Sequence, residues 1–178
     1  MLNFLYKVLL TLNSTSWMLV VYGIKQKSTL ICSSRWITGI VLLLIPVILS
    51  ILSIFIARFL ENESEVVSCE NGNLADNEFI PVYLGYFFVS LSVPDEITLI
   101  FLYGIIFIFT FLSQAEYVNP LYLLLGYHHY HVSTKRGTKI FVIIRHDVIR
   151  NWNNRKIKNL KRMNDTTYFV VKKEEINE

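Results

Sequence analysis

Charge is scarce in this chain: Asp, Glu, Lys and Arg make up 17% of its 178 residues, against roughly 25% in an average soluble domain. Cysteine is scarcer still. Cys32 and Cys69 alone exclude a disulfide framework. Seven glycines and four prolines exclude a collagen-like repeat, and a 53% hydrophobic content excludes a disordered chain. Catalytic signatures are missing as well. There is no G-x-S-x-G, H-E-x-x-H, P-loop or Rossmann fingerprint, and the serines and acids sit at no spacing that specifies a triad. The expectation is a chain without enzymatic chemistry, without a cofactor and without a metal.

What is abundant is uninterrupted apolar sequence, with a mean hydropathy of +0.42. The clearest run is Trp36 to Leu60, which carries no charge until Arg58, and about 20 such residues cross a bilayer core. Trp36 and Arg58 sit where an aromatic ring and a snorkelling guanidinium belong, and Pro46 predicts a kink. Ser50, Ser53 and Ala57 recur at helical spacing, a small-residue face for helix packing. Residues 97–117 form a second span, begun by Pro94-Asp95-Glu96 and ended by Asn119-Pro120. Residues 2–24 read as a span whose Asn13-Ser14-Thr15-Ser16 patch faces a bundle, the rival being an interfacial helix followed by a short insertion. Residues 79–93 would reach only about 22 Å as a helix, so they either span or re-enter. Neither secure span holds Asp, Glu or Lys at mid-depth, which argues against proton-coupled transport.

The two options for 79–93 give two topologies, both with the basic tail in the cytoplasm. Four spans put both termini inside and loop 25–35 outside. Three spans put the N-terminus and the 61–78 loop, with six carboxylates and no Lys or Arg, outside. Loop charge mildly favours three. In either case Cys32 and Cys69 flank one helix on opposite sides of the membrane and cannot pair.

The fold class expected is therefore an α-helical membrane protein. Three to four transmembrane helices fill residues 1–118, and a small cytosolic α/β tail fills residues 119–178. Residues 116–178 hold 12 of the 17 Lys and Arg and all four His. In the tail, YHHYHVST and TKIFVIIR predict a hairpin turning at Gly137. Residues 147–163 place Val148, Ile149, Trp152, Ile157, Leu160 and Met163 on one helical arc. Arg150, Arg155, Lys158, Lys161 and Arg162 fall on the other, with Lys156 misplaced. Thr166–Val171 predicts a third strand. A unit this small is marginal alone and must lean on the membrane, a sister subunit or a partner. The basic face reads as a solvated surface, a contact for anionic membrane lipids, or a docking surface for an acidic protein. No direct nucleic-acid contact is expected, because Trp152 is the only aromatic among those bases. His128, His129 and His131 make an H-H-Y-H run in which His129 and His131 share a strand face. No nearby carboxylate or cysteine completes a metal set.

Two stretches, IPVYLGYFFVSLSV at 80–93 and NPLYLLLGYHHYHVSTKRGTKIFVIIR at 119–145, together with the order of hydrophobic segments, resemble the KwaA family of the bacterial Kiwa anti-phage system. That resemblance implies four spans and a homo-oligomeric inner-membrane sensor, a tetramer being the candidate assembly. It also implies a cytosolic effector of the KwaB type, recruited at the cytoplasmic face. The rival from another class is a small oligomeric membrane channel or pore.

Overall fold

The computed structural model describes residues 2–26, 35–61, 67–113, 119–145, 149, 152, 155–158, 160–170 and 176–177. Four apolar helices form a bundle: α1 (Leu2–Lys25), α2 (Arg35–Ala57), α3 (Phe79–Ser92) and α4 (Glu96–Ser113). Three of them, over Phe4–Lys25, Trp36–Ala57 and Glu96–Ser113, are long and apolar enough to cross a membrane, and α3 is the shorter one. The α2 helix runs on through Pro46. Asp95 starts α4: its carboxylate accepts from the Thr98 N–H at 2.9 Å and the Thr98 hydroxyl at 2.8 Å, filling orphan positions of the first turn. Those bonds hold the Asp95 carboxyl below its ordinary value.

The central helix is α1. Half of its span is buried inside the chain, against 6% for α4, and this explains its polar residues. Thr11, Asn13, Thr15 and Ser16 are all buried, and each hydroxyl finds an acceptor. Thr11 and Thr15 donate to the carbonyls four residues back, and Ser16 donates to Asn13. Thr15 also meets the Tyr103 hydroxyl of α4 at 3.1 Å, and Ser90 of α3 donates to the Met18 carbonyl. The Asn13–Ser16 patch thus faces the bundle. Contacts at both ends fix the directions of the helices. Lys25 Nζ donates to the Val93 carbonyl after α3, while Phe4 packs edge-on against Phe111 near the end of α4.

A seven-stranded sheet follows the order β5-β6-β3-β2-β1-β4-β7. Its members are β1 (Val67–Leu74), β2 (His128–Thr134), β3 (Lys139–Ile144), β4 (Lys156–Ile157), β5 (Leu160–Arg162), β6 (Thr167–Val170) and β7 (Ile176–Asn177). The β2–β3 hairpin turns through Gly137, whose φ of +81° needs a residue without a side chain. The expected third strand is β6, lying parallel to β3. Beyond Lys139, β3 is apolar, and it is covered on both faces. Phe141 and Ile143 pack with Tyr6 and Leu10 of α1 and with Ile54, Ala57 and Leu60 at the end of α2. Val142 and Ile144 pack with Ile149, Trp152, Ile157 and Leu160. At ~1.5–3 kcal/mol for each large side chain removed from water, both layers are substantial. The small tail leans on its own helices.

Two expectations are corrected. The 61–78 segment is not simply a loop: Val67–Leu74 is β1, antiparallel to β2 and placed near the middle of the sheet. The basic amphipathic helix over 147–163 is not formed where the segment is described. Residues 156–157 and 160–162 are strands instead, with Ile157 opposite Val67 and Leu160 opposite Val170. The physical reason is local. The N-W-N-N run is poor in helix propensity, and a strand lets Lys156, misplaced on a helix, point outward beside buried Ile157. Ile149, Trp152, Ile157, Leu160 and Met163 still cover β3, but from strands and irregular chain; Val148 lies outside the described residues.

Candidate functional site

Between β1 and α3 the chain makes a tight turn, Ala75–Glu78, which carries two carboxylates to the histidine strand. The backbone sets the approach: the Ala75 N–H donates to the His129 carbonyl at 2.8 Å, and the His129 N–H donates to Asp76 Oδ1 at 2.7 Å. Asp76 then meets His128 Nδ1 at 2.6 Å and His129 Nδ1 at 3.3 Å, and Glu78 meets His131 Nε2 at 2.9 Å. Burial opposes ionisation of Asp76, but the hydrogen bonds from His129 and His128 outweigh it. They hold the carboxyl at about 2. His129 is fully buried, stacked between Tyr122 and Phe141, and His131 packs edge-on against the same Phe141. The sequence reading placed no carboxylate beside the H-H-Y-H run, and the structure brings Asp76 and Glu78 there as hydrogen-bond partners. The available signal was a run of acids ending at Glu78, directly before a hydrophobic helix.

A second polar junction joins the helices to the start of the tail. Asn119 caps the short helix α5 (Pro120–Leu124), its side chain accepting from the Leu121 N–H. Its amide also donates to Ser50 at 2.9 Å, and Ser50 donates to Asn13 Oδ1 at 3.1 Å. One turn along α2, Ser53 shares a 2.7 Å hydrogen bond with the Tyr122 hydroxyl, and its carbonyl accepts from Tyr6. Ser50, Ser53 and Ala57 are all fully buried. Their small face admits α1 and α5 of the same chain.

The helical face expected to gather the five basic residues is not formed where the segment is described. Arg150 lies outside the described residues. Arg155 is half-buried, with its carbonyl accepting from the Cys69 N–H. Lys158 is exposed. Lys161 donates through Nζ to the Leu60 carbonyl at 2.7 Å, just past α2, and Arg162 pairs with Asp165 at 3.2 Å. Other bases collect at the hairpin tip, where exposed Lys135, Arg136 and Lys139 border a cavity of about 430 Å³ shared with Asp165 and Thr166. Cys69 is a buried free thiol pushed up to about 11 by burial, and Cys32 lies outside the described residues. Among the described residues no group of three His, Cys, Asp or Glu side chains is placed to hold a metal ion.

The arrangement is suited to mechanical coupling. The sheet is held to α1 through Tyr6, to α2 through Leu60 and Ser53, and to the entrance of α3 through Asp76 and Glu78. A family model described as anti-phage protein KwaA matches residues 6–169, most of the chain. No curated protein and no solved structure matches it.

Proposed function

The chain belongs to the KwaA anti-phage family, and from that premise we propose that it is a non-enzymatic sensor and scaffold of the bacterial inner membrane. In this reading it assembles with copies of itself and holds a cytosolic effector of the KwaB type at its basic sheet. Envelope disturbance shifts the helices, and the sheet changes its grip on the effector. The observation that carries the reading is the β1–β2 pairing. It makes one sheet from the segment before α3 and the segment after α4, so any movement of the α3–α4 hairpin reaches the sheet through both of its ends.

The same pairing argues for four crossings. Segments that share a ladder lie on one side of a membrane, so the chain between them crosses an even number of times. The 18-residue, largely apolar α4 makes one crossing, and α3 makes the other. Its 14 residues reach only about 21 Å because β1 and the Ala75–Glu78 turn fill the space beside the first half of α1, where Ala75 shares a core cluster with Tyr6 and Leu10. With the basic side inward, both termini and the sheet are cytosolic. The pore alternative needs polar residues facing another copy. Thr11, Asn13, Thr15, Ser16, Ser50, Ser53 and Ser90 are instead buried within the single chain.

The test is a pull-down from native membranes in mild detergent, with mass spectrometry and sizing. A stoichiometric cytosolic protein on an oligomer of this chain supports the proposal. Charge reversal at Arg150, Arg155, Lys158, Lys161 and Arg162 that left recruitment and phage protection intact would overturn the docking surface. A bare oligomer that conducts ions in liposomes would overturn the scaffold reading itself.

A further inference from the structure

At the sheet end of α2 a groove of about 230 Å³ is lined by Ile51, Ile54 and Phe55 of that helix, Arg58 just past it, Leu125 and Tyr127 after α5, and Arg145 just after β3. Its chemistry is divided. One end is aliphatic and aromatic, continuous with the outward face of α2, where Ile48, Ile51 and Phe55 are more than half exposed. The other end carries two guanidinium groups. Arg145 lies over the Tyr127 ring at 5.8 Å, which holds the side chain in place. The Arg58 side chain, exposed at the helix end, has no carboxylate partner among the described residues. Among the described residues no acid lines the groove. Leu124, alongside, is 82% exposed, which suits hydrocarbon and not water.

We propose that this groove is a binding site for an anionic phospholipid, with the headgroup phosphate held between Arg58 and Arg145 and an acyl chain along Ile51 and Phe55. The planar guanidinium fork matches phosphate oxygens in pairs, so two of them select an anionic headgroup over a zwitterionic one, whose own cation they would repel. The apolar lining selects a lipid over a free anion. The site wedges between α2 and the sheet, so the lipid would brace the joint that carries helix movement to the tail. This inference rests on the membrane placement and not on effector recruitment.

The experiment uses the full chain, purified in mild detergent and titrated with short-chain phosphatidylglycerol, short-chain phosphatidylcholine or inorganic phosphate, with thermal unfolding as the readout. Carbonate-resistant retention in membranes, measured separately, reports the placement. Phosphatidylglycerol is expected to raise the unfolding temperature, with phosphatidylcholine and phosphate having little effect. Arg58→Gln, at a side chain without a carboxylate partner among the described residues, should weaken phosphatidylglycerol binding about fivefold, in line with the contribution of one interfacial base. Arg58→Gln with Arg145→Gln should abolish the selectivity. An equal response to phosphatidylcholine, an equal response to phosphate alone, or an Arg58→Gln protein that responds like the unaltered chain would each overturn the proposal.

Discussion

Replacing Asp76 by Asn tests the joint between the sheet and α3 most directly. The substitution keeps the shape and one acceptor for the His129 N–H, but it removes the charge that His128 and His129 face at 2.6 and 3.3 Å. The fall of the carboxyl from its ordinary 3.8 to about 2 corresponds to ~2 kcal/mol at 1.36 kcal/mol for each pH unit. Partial solvent screening reduces this to about 1 kcal/mol. A depressed acid stabilises the fold above its unfolded pKa, and that stability is lost as pH falls through the folded value. At pH 7 the Asp76→Asn chain should therefore unfold roughly 2–4 °C below the unaltered one, followed by tryptophan fluorescence in detergent. The gap should close between pH 4 and pH 2. Hydrogen exchange should quicken first in β1 and the Ala75–Glu78 turn. Equal stability at pH 7, or a gap unchanged between pH 5 and pH 2.5, would refute the reasoning.

Gly72→Ala would set a methyl group 2.5 Å from the Trp152 indole, within the packed outer layer, and overpacking of that kind costs about 1–3 kcal/mol. A red-shifted tryptophan emission and a lowered unfolding temperature are expected, and unchanged emission would count against the covering role of Trp152. Asn119→Ala removes both the α5 cap and the Ser50 bond, which should cost roughly 1–3 kcal/mol. Added to Ser50→Ala it should cost less than the sum, since the two share a bond; strict additivity would show that the network is not shared. In a background free of native cysteines, Arg136→Cys and Asn71→Cys should be protected from an impermeant thiol reagent applied outside the cell, and Asp95→Cys should react. Labelling of Asn71→Cys from outside would contradict the four-crossing topology.

The helices were legible because composition alone dictates them: a charge-free run such as 36–57 has no stable place in water. The hairpin was legible for a local reason too, since Gly137 punctuates two β-branched stretches. What escaped the sequence depends on partners distant in the chain. β1 reads V-S-C-E-N-G-N-L, without alternation and with residues depleted in strands; it is a strand because β2 lies beside it, and Cys69 is its one fully buried apolar side chain. Residues 147–163 fit a helical arc by spacing, but the backbone of Ile157 and Leu160 finds open ladders on β1 and β6. The Asp76 and Glu78 contacts were invisible for the same reason, as more than fifty residues separate them from their histidines in the chain.

The anchors are unevenly distributed over the four helices, and this shapes how a signal would travel. α1 meets the sheet layer through the packing of Tyr6 with Phe141 and Ile143, α2 is tied to it by Ser53 through Tyr122 and by Leu60 through Lys161, and α3 by the Asp76–Glu78 turn. Each tie is a buried or charge-assisted contact whose loss costs on the order of 1 kcal/mol or more. α4 has no such tie among the described residues, and only 6% of it is buried in the chain. Its outward face, with Ile97, Ile100, Phe101, Ile105, Ile108, Phe109 and Leu112 exposed, is the surface most open to lipid or to another copy. A disturbance meeting α4 first would therefore act on its neighbours through packing and the Thr15–Tyr103 bond. Those neighbours are fastened to the sheet, so the cheaper response is a tilt of sheet and helices together, with the ladder left intact.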